Sequence, residues 1–412
     1  MYKDICEFKN ILDCQQDTKI GTSWKASVQM NQIRTLRNVD VAKQELISLK
    51  PKARHIDEFY LNCRGKTRYI QAFGIQDRTN HKAITRYSLK PAVASHIFYD
   101  NSATMDGRGN DFAIRRLVCH LERHYRKYKK EGGVLLIDFH DYFNSIDREK
   151  LYSALGSIID EETLYLHRFY TSRFLRGIGV GSELCQVSAV YYPTPYDHNA
   201  KHNLHIKGYH RYMDDSIFIN ESLKKLEYCL ESQTEVANEL GIELNKKHTQ
   251  IIPFTKSFIF MKKEFYVEDN GHITIRIQNK YRKKHHRKIK AQREALNEHP
   301  ERFESILNSN QSWFHYSLKY DTHENVLRTT YLFYKTFSNE IDEHLLTRTP
   351  SKIKKNKFLK ELLRLSAKYS GREDIKRLRE NVKELIRIDT ERKEKLKQNK
   401  DKNSLHLIEY SV

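Results

Sequence analysis

With 412 residues the chain can hold two or three domains with a sizeable core, and its 73 Lys and Arg against 53 Asp and Glu leave a formal net charge of +20. That excess points to a polyanionic partner, most commonly nucleic acid, with a simple solubility charge as the other reading. No apolar run approaches the ~20 residues that cross a bilayer, and the opening MYKDICEFKN lacks a signal-like apolar stretch, so no membrane partner and a cytoplasmic location are expected.

In chain order, residues 1–130 mix basic and aromatic side chains between short apolar segments. The six cysteines, at 6, 14, 63, 119, 185 and 229, are scattered without a C-x-x-C pair, which predicts reduced, structural thiols. Val134 to Phe139 is a short apolar run, predicted as a buried strand with Asp138 near its end. Asp147 precedes Arg148-Glu149-Lys150-Leu151 as a helix cap, with Leu151 and Leu155 on one face. His210-Arg211-Tyr212 and Ser216 to Ile219 flank Met213-Asp214-Asp215 and predict strand, tight turn, strand. Leu223, Leu226, Leu230, Val236 and Leu240 space a helix over 221–240 that Gly241 stops. Asn270-Gly271 between Glu264–Val267 and His272–Ile277 predicts a hairpin. The run from Lys280, which contains His285-His286, reads as a solvated nucleic-acid contact rather than a metal pair. Ser312 to Tyr320 interleaves aromatic and basic residues, which suits either an RNA-gripping surface or ordinary helix packing. Beyond 346, Ile375, Leu378, Val382, Leu385 and Ile386 recur at helical spacing amid charges. Such a helix suits solvent, docking within the chain, or a second copy in a homo-oligomer.

The chemistry concentrates in Tyr212-Met213-Asp214-Asp215 and in Asp138. An isolated Asp-Asp is usually a turn or a cap. Here both acids sit between apolar strands, where clustered carboxylates repel unless cations neutralise them. Mg²⁺ is the natural neutraliser, with Mn²⁺ a substitute, because it takes a few carboxylate oxygens and leaves positions for phosphate. If β-strands bring Asp138 and Asp214 to face one another, two metals held there suit nucleotidyl transfer.

The motif order carries a resemblance. Asp138-Phe-His-Asp-Tyr-Phe-Asn-Ser-Ile-Asp147, the glycine-rich Gly177-Ile-Gly-Val-Gly-Ser-Glu-Leu-Cys-Gln186, Tyr212-Met-Asp-Asp215 and Gly241-Ile-Glu-Leu-Asn-Lys-Lys-His248 resemble, in order and spacing, the palm motifs of reverse transcriptases. Tyr99 to Ala113 is similar to the fingers segment of bacterial members of the retron, group II intron and abortive-infection kind, and Gly181 to Gln186 with Tyr191 to His198 resembles the defence-associated and unclassified bacterial groups. The resemblance implies an α+β right-hand polymerase. Fingers would occupy residues 1–130, the palm 131–277, a helical thumb 278–345 and a charged helical extension 346–412. It implies metal ligation by Asp138, Asp214 and Asp215, and deoxynucleotide selection by Phe143 as a sugar gate. It further implies a triphosphate grip by Lys66 and Arg68, nucleotide contacts by Val180, Gly181 and Gln186, and protonation of pyrophosphate by Lys247, a place that His248 also fits. The implied partners are deoxynucleoside triphosphates, an RNA template of the dedicated noncoding kind, and the DNA product. Untemplated or protein-primed synthesis and a maturase-like RNA-binding role remain alternatives. Many family members carry Pro-Gln-Gly where Gly179-Val180-Gly181 stands, so an unusual template mode or lower fidelity is also expected.

Overall fold

Two strands pair with a run of apolar residues that has no polar face. Strand β3 (Gly133–Asp138) lies between β5 (Asp215–Asn220) and β6 (Gln250–Pro253), and β4 (Gly208–Tyr212) lies outside β5, giving the order β4-β5-β3-β6 with every pair antiparallel. Val134, Leu135, Leu136 and Ile137 are all buried. A strand covered on both faces reads as a continuous apolar run rather than an alternating one, which is why this element was legible from its composition. Helices Asn110–Tyr128 and Leu223–Glu239 pack on the sheet, the second capped by the Ser222 hydroxyl, which accepts from the Lys225 N–H. The structure is a computed structural model. It describes residues 2–63, 66–321 and 323–337, together with single positions 340, 380, 383, 387 and 391. The predicted helical spacing over 375–386 lies outside the described residues.

The strands β1 (Ile56–Cys63) and β2 (Lys66–Phe73) form a separate hairpin whose side chains Tyr60 and Tyr69 are exposed. Beyond β3, Asp147 caps the helix Arg148–Gly156 by accepting from the N–H groups of Glu149 (2.9 Å) and Lys150 (3.1 Å). Leu151 and Leu155 of that helix enter the main core beside Leu135, Ile137 and Phe218. The predicted turn at Asn270-Gly271 is present: the Glu268 N–H donates to the His272 carbonyl (2.9 Å), the Asn270 side chain accepts from the His272 N–H, and Gly271 takes the left-handed conformation. The architecture is the α+β one expected, consistent with fingers, palm and thumb. No described helix is long and apolar enough to cross a membrane.

By contact density the chain divides into one unit of residues 1–261 with 266–273, and another of 262–265 with 274–412. In the second, helices Asn279–Glu298, Phe303–Ser317 and His323–Thr336 share a core containing Phe314 and Phe333. His285 belongs to that core: it is buried and stacked on Trp313 at 4.2 Å, while His286 hydrogen-bonds the Thr329 hydroxyl at 2.7 Å. The expectation of a solvated histidine pair is therefore corrected. A basic helix still needs one packing face, and 285 falls on it. Burial and the nearby Lys288 push the His285 imidazole down to about 4, so it stays neutral at physiological pH.

Candidate active site

Asp138 ends β3, and the register makes Asp215, the first residue of β5, its cross-strand partner. Directly opposed residues are the closest cross-strand neighbours. Asp214 lies one step away in the two-residue turn that links β4 to β5, where Tyr212 pairs with Asp215. The short turn takes Asp214 out of the ladder, so Asp215 rather than Asp214 stands opposite Asp138. Asp214 nevertheless stays beside the end of β3, since its carbonyl accepts from the Phe139 N–H at 3.2 Å. All three acids are half-buried, open enough to meet water or ligand.

Met213, the first turn residue, has φ +57°. Tight hairpin turns whose twist matches the strands require a positive φ there, and a side-chain-bearing residue in that region stores of order 1–3 kcal/mol of strain. Arg211 holds the turn. Its guanidinium is fully buried, donates from Nη1 to the Met213 carbonyl (2.9 Å) and from Nη2 to the Val190 carbonyl (2.8 Å), and pairs with Asp197 through Nε (2.6 Å) and Nη2. Tyr209 donates its hydroxyl to the same carboxylate. Burial works against the guanidinium charge, but Asp197 outweighs it and holds the group well above its ordinary pKa.

A second anchor is Asn245. Its Nδ2 donates to Asp138 Oδ2 and its backbone N–H to the Asp138 carbonyl, both at 2.7 Å, fixing the carboxylate's orientation. Lys247 is exposed two residues on, with its N–H donating to Asn245 Oδ1 at 3.2 Å. His248 is exposed too. Asn245 lies inside the lysine motif, but only the 107-residue separation closed by the fold makes it a partner of Asp138. Arg211 carried one usable signal: a charged residue in the middle of a buried strand needs a partner.

Phe143 sits in the short helix Tyr142–Ser145, partly buried against Tyr142. Its carbonyl accepts from the Ile178 N–H at 3.1 Å, which brings the glycine-rich loop onto Phe143. A Cβ at Gly177 would come within 1.9 Å of the Phe143 carbonyl oxygen, and Gly177 has φ +52°. Gly177→Ala should lose roughly 1–3 kcal/mol from backbone conformation alone, with the clash in addition, read as a lower urea midpoint. Val180 is half-buried and Gly181 exposed, and Ser182 precedes the helix Glu183–Tyr191, whose first turns carry Gln186 half-buried. Lys66 begins β2, and Arg68, exposed, pairs with Leu61 across the β1–β2 hairpin. The fold thus groups the three acids with Asn245, and Phe143 with the glycine-rich loop, and carries Lys66 and Arg68 on a separate hairpin.

Among the described residues, no group of three or more His, Cys, Asp or Glu side chains is arranged as a metal cage. The donor set still fits Mg²⁺, which is usually bound by one or two carboxylates together with substrate phosphates.

Residues 50–273, more than half the chain, match the family model described as reverse transcriptase (RNA-dependent DNA polymerase). No curated protein sequence matches the chain. Among solved structures it is similar to the telomerase of Candida albicans in complex with a fragment of telomeric RNA, at 11% identity and a TM-score of 0.49, over 81% of this chain and 61% of that one. An apo telomerase from Candida tropicalis, truncated from its C-terminal domain, is similar at 12% identity and a TM-score of 0.41, over 53% and 54%. The chain therefore spans less than two thirds of either. On the family match and the fold, the chain belongs to the reverse transcriptase (RNA-dependent DNA polymerase) family.

Proposed function

We propose that this protein is an RNA-directed DNA polymerase that adds deoxynucleotides to a 3′-hydroxyl, or to a protein hydroxyl, on an RNA template. The supporting observation is the convergence of Asp138, from β3, with Asp214 and Asp215, from the β4–β5 turn, at one end of one sheet. Asp138 and Asp214 would hold the metal ions, with Asp215 beside them. When bound, Mg²⁺ supplies positive charge to the attacking hydroxyl and to the departing pyrophosphate.

The other roles follow from chemistry at each position. Asn245 holds the Asp138 carboxylate in one orientation. Lys66 and Arg68 grip the triphosphate, and Lys247 offers a proton to pyrophosphate. Val180, Gly181 and Gln186 border the nucleotide, where Val180 withholds the hydrogen bonds a glutamine would give. Phe143 crowds a ribose 2′-hydroxyl. Phe143→Ala should therefore raise ribonucleotide incorporation relative to deoxynucleotide by about ten- to a hundredfold, the range one steric contact supplies; an unchanged ratio in competition assays would remove the gate from Phe143.

The resemblance to bacterial defence-associated members motivates a dedicated noncoding RNA as template and a role against phage. Sequencing the RNA and DNA that co-purify with wild type and with Asp214→Ala/Asp215→Ala tests this. A discrete RNA with complementary DNA found only in wild type is expected. DNA without complementary RNA would mean untemplated synthesis, and RNA without acid-dependent DNA would mean a binding protein.

A further inference from the structure

Within the first unit, the last turns of the helix Asn110–Tyr128 and the start of β4 enclose a cleft of about 330 Å³ that contains none of the residues placed above at the candidate active site. Arg123 and Lys127, one turn apart on that helix, and Lys207, just before β4, line it together with His120, His124 and His205. The three cations are exposed and none has a carboxylate partner among the described residues, although Lys127 lies 4.7 Å from the Tyr128 ring centre. Two of the three histidines are already engaged. His120 is engaged by Asp100 at 3.1 Å, and His124 hydrogen-bonds the Glu131 carbonyl at 2.9 Å, with burial pushing its imidazole pKa down. Glu221 is the acid in the lining, leaving three cations against one carboxylate.

Three cations around a concave surface that offers one carboxylate repel one another and favour an anion. The cleft opens to solvent and its cations are exposed, which suits a chain of phosphates passing over it better than an enclosed small ligand. Gly208 and Asn220, which also line it, are the ends of β4 and β5 opposite to the Met213–Asp214 turn. At ~3.3 Å per residue the strands put roughly 17 Å between the cleft and the acids, the reach of several nucleotides.

We propose that this cleft is a second RNA-backbone site, which holds template RNA away from the catalytic acids through Arg123, Lys127 and Lys207. The choice of RNA as the polyanion rests on the reverse-transcriptase reading; the cation cluster does not.

The test compares binding of a fluorescently labelled 40-nucleotide single-stranded RNA over a salt series. Arg123→Glu/Lys127→Glu/Lys207→Glu is compared with wild type and with Lys9→Glu/Arg34→Glu/Arg37→Glu, an equal charge change at exposed positions elsewhere. A set with glutamine at the three cleft positions guards against misfolding, and an unfolding midpoint is recorded for each protein. The cleft variants should bind at least about tenfold more weakly than the control, and the slope of log affinity against log salt should become shallower by about 2, the release expected from three phosphate contacts on a single strand. Cleft variants that match the control in affinity and slope overturn the proposal. Saturable binding of inorganic triphosphate that is lost in the cleft variants, with RNA affinity unchanged, overturns it in favour of a small-anion site. A chain inert in DNA synthesis whose RNA binding still depends on the cleft would sink the polymerase reading and leave this site standing.

Discussion

Asp138→Asn lowers nucleotide incorporation by about a hundred- to a thousandfold, the range seen when one preorganised electrostatic group is removed from a reacting centre. The substitution keeps shape and hydrogen-bonding capacity: an asparagine oxygen can still accept from Asn245 Nδ2. What it removes is the charge that would bind the metal beside Asp214. The folded state should be at least as stable as wild type, since one of three neighbouring like charges is gone. RNA affinity should be unchanged, because backbone binding is spread over many cations. Asn245→Ala tests orientation apart from charge: it removes one hydrogen bond to a carboxylate, worth about 1–3 kcal/mol, and should slow incorporation roughly ten- to a hundredfold. Steady-state incorporation, urea unfolding and RNA binding on the same preparations separate these effects. An Asp138→Asn protein with wild-type kcat would remove Asp138 from the chemistry.

Arg211→Met has the largest expected effect on stability. The guanidinium is wholly enclosed, and its loss leaves the buried Asp197 carboxylate with the Tyr209 hydroxyl and without its ion-pair partner. Breaking a buried ion pair from one side costs about 3–5 kcal/mol, whereas replacing both partners by apolar groups is often close to neutral. Arg211→Met/Asp197→Leu should therefore recover most of the lost stability in urea denaturation. It should not recover activity, because the bond from Arg211 Nη1 to the Met213 carbonyl is still missing and the turn bearing Asp214 is no longer held. A double variant as active as wild type would show that the strained turn keeps its geometry without Arg211.

How much of this was legible in the sequence depended on the range of the interaction. Local signals read correctly: the apolar run of β3, the Asp147 cap, the Asn270-Gly271 turn and the strands around Met213 each rest on residues a few positions apart. The pairing of Asp138 with Asp215 was displaced by one residue, since register is set by where the turn leaves the ladder and not by the motif. Asp197–Arg211 and Asp138–Asn245 were not legible as pairs. Arg211 stands out by its place in a buried strand, but nothing local names Asp197, 14 residues before it, as its partner. His285 was misread because charge on its neighbours hid the helix face it shares with the buried Ile289.

The most direct test of the central claim is primer extension by the purified protein on a defined RNA template with deoxynucleotides and Mg²⁺, followed by sequencing of the product, beside Asp138→Asn and Asp214→Ala. The account predicts DNA complementary to the RNA from wild type and at least a hundredfold less from either variant. DNA made equally well without the RNA, or made equally well by the acid variants, would contradict it.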